Sequence, residues 1–120
     1  MEESLKTKVS KYKGFPIVSL DGELDISSFE KIEEIRYEIE IAPLMIVDFT
    51  KLNYICCDGL RWLTSWRAIN GGMILVIALS PNIKRVLEIS GLLPFFSTFS
   101  CVDSACEAID SLLKIGHGPS

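Results

Sequence analysis

The spacing of the apolar positions changes along the chain, and each change marks an element. Residues 44–49 (LMIVDF) form an almost unbroken apolar run after Pro43. A short run of this kind fits a strand buried on both faces. Thr50, Lys51 and Asn53 break it, and Tyr54-Ile55 resume it. The small, turn-like Cys56-Cys57-Asp58-Gly59 follows, and then Leu60, Leu63 and Trp66 recur near helical spacing. Residues 44–66 therefore read strand, loop, helix, and this stretch is the centre of the chain. Asp58 is the expected cap of that helix, accepting a bond from a free N–H of its first turn. A helix N-terminus also favours negative charge, which makes this loop the first candidate for a recognition site.

The rest of the chain alternates in the same manner. Residues 5–12 (LKTKVSKY) alternate weakly, as an edge strand with exposed lysines does. Lys13-Gly14 is a turn signal, and residues 15–20 (FPIVSL) complete a hairpin that Asp21 to Asp25 end or interrupt. Ser27-Ser28-Phe29-Glu30 has the form of a capping box. Phe29, Ile32, Ile35 and Ile39 follow as one buried stripe, with a solvated acidic face opposite. The helix after the central loop is expected over 59–68, ending at Asn70-Gly71-Gly72. Residues 73–79 (MILVIAL) are another apolar strand. Ser80 and Pro81 read as cap and first residue of a third helix that buries Ile83, Val86 and Leu87 and stops at Gly91. Residues 94–99 suggest a short edge strand, and 102–115 a last helix presenting Ala105, Ile109, Leu112 and Leu113. The order ββαβαβαβα predicts an α/β fold: a mostly parallel central sheet of 4–5 strands with about four helices packed on it. One domain is expected over 1–120, with a core over about 5–115 and a flexible tail at 116–120.

Composition narrows the chemistry. The chain is 48% hydrophobic and 23% charged, which excludes a disordered polypeptide. Its net charge is −4 and no Lys/Arg cluster stands out, so nucleic acid is not an expected partner. No apolar run is long enough for membrane insertion, and the charged N-terminus lacks the apolar stretch of a secretion signal. The expected location is cytoplasmic. The spacing of Cys56, Cys57, Cys101 and Cys106 fits neither a disulfide framework nor a zinc site, and Cys101 and Cys106 are read as small buried hydrophobes. His117 is the single histidine and lies in the tail, which removes Ser-His-Asp and Cys-His arrangements. No phosphate loop is present, and Asp48 has no second carboxylate beside it in the sequence. No catalytic residue, metal or cofactor is expected. Thiol redox chemistry at Cys56-Cys57 is a lesser reading, since the Asp58 charge next door disfavours a thiolate. Trp62 sits off the Leu60/Leu63 stripe, either packed in the core or exposed as part of a docking surface.

Four segments, taken in order, resemble the STAS domain, especially the bacterial anti-sigma factor antagonists. Leu20-Asp21-Gly22-Glu23-Leu24-Asp25 looks like the family's GELD end of the second strand. Val47-Asp48-Phe49 through Leu52-Asn53-Tyr54-Ile55 resembles its central strand, and Asp58-Gly59-Leu60 lies where the family has D-S-S-G-L. The segment from Ala78 to Leu92 is similar to its long SP-containing stretch. The resemblance implies a non-enzymatic binding module that docks on an anti-sigma factor, usually also a serine kinase, and so frees a sigma factor. In the family, phosphorylation of one loop serine stops that binding. Here Cys56 falls at the family's aspartate, Cys57 at the phosphoacceptor serine and Asp58 at the second serine. The implied docking surface comprises Asp25, Cys56, Cys57, Asp58, Gly59, Leu60 and Trp62, without a serine switch. A STAS subunit of a transport complex or a stress-sensing assembly is the alternative.

Overall fold

A computed structural model describes residues 5–38, 44–56, 58–61, 63–64 and 74–116. Strands β1 (Leu5–Tyr12) and β2 (Phe15–Leu24) form an antiparallel hairpin, with Tyr12 opposite Phe15 and Leu5 opposite Gly22. Lys13 and Gly14, at φ 51° and 85°, both take the left-handed region. A two-residue turn of this kind matches the twist of the strands, and glycine accommodates it without strain. From β2 onward every neighbour is parallel: β2 to β3 (Leu44–Ile55), β3 to β4 (Ile74–Leu79), β4 to β5 (Ser97–Phe99). The spatial order is the chain order, β1-β2-β3-β4-β5.

Parallel strands in chain order need crossovers of one hand, which lay successive helices on one face of the sheet. That face carries α1 (Phe29–Glu38), α2 (helical at 58–61 and 63–64) and α3 (Pro81–Ile89). Its core joins Val18, Leu20, Met45, Val47, Phe49 and Ile77 of the strands to Ile32, Ile35, Leu60, Leu63, Ile83 and Leu87 of the helices. The last helix, α4 (Val102–Gly116), covers the other face, where Ala105 and Ile109 meet Leu44, Ile46, Phe15 and Ile17. Two covered faces explain why residues 44–47 are apolar without alternation. At its far end α4 is held to the hairpin. The Tyr12 hydroxyl lies 2.9 Å from both Asp110 oxygens, and Lys13 Nζ donates to Oδ1 at 2.6 Å.

The predicted α/β architecture is the one observed, with several local differences. The strand expected at 44–49 runs to Ile55, because β2 also extends, to Leu24, and pairs with it. Two irregularities make this possible. Between the Ser19–Asp48 and Asp21–Lys51 pairs, and between Gly22–Leu52 and Glu23–Tyr54, β3 carries one extra residue. Each bulge resets the alternation, so Phe49, Leu52 and Ile55, three apart, all face the core. Asp48 Oδ1 accepts the Thr50 N–H at 2.9 Å and its hydroxyl at 2.6 Å, supplying a partner at the first bulge.

At the helix ends, a 3-10 turn at Ile26–Ser28 precedes α1, which starts at Phe29, later than the capping-box spacing suggests. Ser80 does occupy the N-cap position of α3, but its hydroxyl makes no bond to the helix and points at the Leu52 carbonyl, 3.5 Å away. Gly91 ends α3 as expected. The Leu92 N–H returns to Leu87 O at 3.0 Å and the Gly91 N–H to Glu88 O at 3.1 Å, the paired bonds of a glycine helix stop. The stretch expected as an edge strand at 94–99 splits into a 3-10 turn, Leu93–Phe95, and β5. Leu112 is half exposed, because the sheet-facing stripe of α4 runs through Ala105, Ile109 and Leu113. Cys101 is exposed and Cys106 half-buried, contrary to the expectation of two buried thiols. Ile39, Trp66, Asn70, Gly71, Gly72, Met73 and His117 lie outside the described residues.

Candidate functional site

Strands β2 and β3 end level with each other. Leu24 pairs with Ile55, both buried, and the Cys56 N–H donates to the Leu24 carbonyl at 3.0 Å as a last rung. Beyond this rung the two chains part. One enters the turn through Asp25, the other the turn into α2, so Asp25 and Cys56 emerge side by side.

Asp25 organises its own turn. The Ser28 N–H donates to the Asp25 carbonyl at 3.0 Å, closing the backbone. Asp25 Oδ1 accepts the Ser27 hydroxyl at 2.6 Å and lies 3.1 Å from Ser28 Oγ, which also sits 2.8 Å from the Glu23 carbonyl. Ser28 is buried, and these partners satisfy it. The Ser27 hydroxyl, more than any other group, holds the Asp25 carboxyl below its usual range; Ser28 and the local N–H groups add to this. The carboxylate is thus fixed in position and in charge.

In the second turn, the Leu60 N–H donates to the Cys56 carbonyl at 3.1 Å, the first helical bond of α2. Cys56 is therefore the N-cap, and its Sγ accepts the Gly59 N–H at 3.3 Å. This corrects the expectation that Asp58 is the cap. Asp58 lies inside the first turn, where its charge opposes the positive end of the helix. It is partly exposed and sits 3.7 Å from Arg61 across one helical turn. Thiol sulfur is a weaker acceptor than a hydroxyl or carboxylate oxygen, so the cap here is a soft one.

Gly59 is buried, and the reason is contact. A Cβ there would lie 2.9 Å from Ile55 Cγ1 and 3.1 Å from Leu24 Cγ. Leu60 is buried beside it. These two residues hold the turn against the strand ends, while Asp25, Cys56 and Asp58 carry its outward chemistry. Cys57 and Trp62 lie outside the described residues.

Tyr54 joins this rim, although the apolar pattern places it in a strand and not at a site. It is half exposed and in register with Glu23 on the neighbouring strand, itself exposed. The available signal was the three-residue spacing of Phe49, Leu52 and Ile55, which leaves Tyr54 outward once bulges are allowed. The rim thus presents carboxylates, a phenol and a thiol to solvent. Among the described residues no group of three or more His, Cys, Asp or Glu side chains could hold a metal ion.

A family model of the STAS domain matches residues 6–105, most of the chain. The chain belongs to the STAS domain family. Among proteins similar to this STAS chain is one from Bordetella bronchiseptica named "Putative anti-sigma factor antagonist BtrV". It is 28% identical over 115 residues, spanning 91% of this chain and 98% of the relative. Two solved structures share the fold. An anti-sigma factor antagonist from Mycobacterium paratuberculosis superposes with a TM-score of 0.77 at 22% identity, over 89% of this chain and 95% of that one. The anti-sigma factor antagonist SpoIIAA in its unphosphorylated form gives 0.63 at 22% identity, over 88% and 97%. Among the described residues of this STAS domain, no helix is long and apolar enough to cross a membrane.

Proposed function

We propose that this STAS domain is an anti-sigma factor antagonist: a regulatory binding protein, without catalytic activity of its own, that docks on an anti-sigma factor and so releases a sigma factor. The relative that carries the name of that activity aligns over nearly the whole of both chains, and this observation supports the reading most. The docking surface is the rim where β2 and β3 end: Asp25, Cys56, Cys57, Asp58 and the start of α2 with Trp62. Gly59 and Leu60 act from beneath, by shaping the turn. The partner belongs to the serine-kinase type of anti-sigma factor. Cys57 stands where the resembling family carries its phosphoacceptor serine, and a thiol is not the substrate of a serine kinase. Binding is therefore not switched by serine phosphorylation of this loop. The fixed charge of Asp58, in the first turn of α2, is part of the surface the partner meets.

The test is to purify the tagged protein from its own cells and identify what accompanies it. An anti-sigma factor with a kinase fold is the expected companion. Transporter subunits or a multi-protein sensing assembly in its place would overturn the proposal.

A further inference from the structure

The outward side of α3 has no part in the rim. Pro81, Lys84, Arg85, Glu88 and Ile89 fall at helical spacings of three and four, on the side away from the buried Ile83 and Leu87. Together they line a shallow open hollow of about 460 Å³. Ile89 is 77% exposed, the most exposed large apolar side chain among the described residues. A single exposed aliphatic is ordinary. What surrounds this one is less so.

Lys84 and Arg85 have no ion-pair or side-chain hydrogen-bond partner among the described residues, although Glu88 stands one turn further on. They do not serve the helix either. Cations stabilise a helix from its last turn, and the last turn of α3 holds none. A chain with a net charge of −4 thus places two cations and a single carboxylate around a hollow, next to the most exposed large apolar group among the described residues.

We propose that the outward face of α3 binds an acidic segment of a protein partner, with carboxylates on Lys84 and Arg85 and an apolar side chain against Ile89. Arg85 offers a planar fork that takes a carboxylate by two parallel bonds, and Lys84 a point charge beside it. Glu88 on the same stripe disfavours a continuous polyanion, whose evenly spaced charges run past it, more than a protein segment whose few carboxylates meet Lys84 and Arg85 and leave Glu88 unopposed. One isoleucine and two cations give little hold on a lipid surface. A protein segment supplies both the charge and the apolar contact. This surface is separate from the rim and does not depend on its function.

The test uses the full chain labelled with nitrogen-15 and titrated with a short synthetic peptide of alternating Glu and Leu. Amide shifts centred on residues 81–91 are expected. Replacing Lys84→Glu and Arg85→Glu together should weaken binding at least about tenfold, and Ile89→Ser should also weaken it. All three side chains are exposed, so the unperturbed spectrum serves as the check that the fold is kept. Lys6→Glu with Lys8→Glu on β1 should leave binding unchanged. Shifts centred on β1, or undiminished binding by the charge-reversed protein, would overturn the proposal. So would polyphosphate or phosphatidylglycerol vesicles occupying residues 81–91 while the peptide does not.

Discussion

The Cys56 sulfur accepts the Gly59 amide proton at 3.3 Å, so a thiol caps the helix at the centre of the proposed docking rim. A second cysteine stands at the corresponding position of the last helix. Cys101 precedes α4, its carbonyl accepts the Ala105 N–H at 3.3 Å, and its sulfur lies 3.2 Å from the Ser104 hydroxyl. Contact with Ser104, first through its hydroxyl and then its N–H, draws the Cys101 thiol below its usual range. Two of the chain's cysteines therefore stand at N-cap positions.

Replacing a weak cap by a strong one should stabilise the rim. Cys56→Asp, which supplies a carboxylate to the Gly59 N–H, is expected to raise unfolding stability by about 0.5–1 kcal/mol. Cys56→Ala is expected to lower it by a similar amount, since the N–H of Gly59 then relies on water. Urea titration of the three proteins measures both. Equal midpoints for all three would show that the sulfur contributes nothing as a cap.

Gly59 is a packing position, which separates it from Asp58. Gly59→Val pushes carbon into Ile55 and Leu24 and should cost about 2 kcal/mol through overpacking. Asp58→Lys, at a partly exposed site, loses a charge that suits the helix N-terminus and should cost about 1 kcal/mol or less. A loss of partner binding by the valine variant is thus no evidence about the surface, whereas loss by the lysine variant is. Thermal melts of both variants check the division; equal stability would place Gly59 outside the packing described.

The pH dependence has two limbs of opposite origin. The Asp25 carboxyl titrates below its ordinary 3.8. Its contribution to stability is present above that value and is lost as pH falls through the folded one. Tyr12 titrates above its ordinary 10.0 and Lys13 above 10.5, each chiefly through its hydrogen bond to Asp110. Their contributions are complete below those values and are lost as pH rises through the folded ones. All three groups are solvent-accessible, so the effects are small. Asp110→Asn should flatten the alkaline limb of the melting temperature above about pH 10. An alkaline limb that survives Asp110→Asn would assign it to other groups.

Much of this architecture was legible in the sequence, because it rests on runs and caps that repeat a simple rule. The apolar runs at 44–49 and 73–79, the Ser80-Pro81 helix start and the Gly91 stop each depend on a few neighbouring residues. The end of β3 was not legible. Thr50, Lys51 and Asn53 look like a loop until two bulges and the pairing of β2 carry the strand on to Ile55. The cap of α2 was misplaced by two residues for a related reason. Asp is the stronger acceptor, and spacing alone does not show that the Leu60 N–H bonds to Cys56. Nor is the outward direction of Tyr54 legible in the sequence, because it follows from the second bulge, a tertiary feature.

The proposed lack of a serine switch predicts a chemical outcome. After incubation with ATP and the kinase-type partner, intact-mass and peptide spectra should show no phosphate on residues 56–59. Cys57→Ser, which restores a hydroxyl at the position the family resemblance assigns to the acceptor, should gain one phosphate. Phosphate on the native loop would overturn the unswitched reading. A serine variant that stays unmodified would sever the assigned correspondence.

The central claim is that the rim at the ends of β2 and β3 is where this STAS domain meets an anti-sigma factor. Its most direct measurement is the dissociation constant of the co-purified partner for the native protein and for Asp58→Lys, with circular dichroism confirming that both are folded. The account predicts a weakening of at least about tenfold, or roughly 1.4 kcal/mol, for Asp58→Lys at unchanged fold. Identical dissociation constants for the two folded proteins would contradict it.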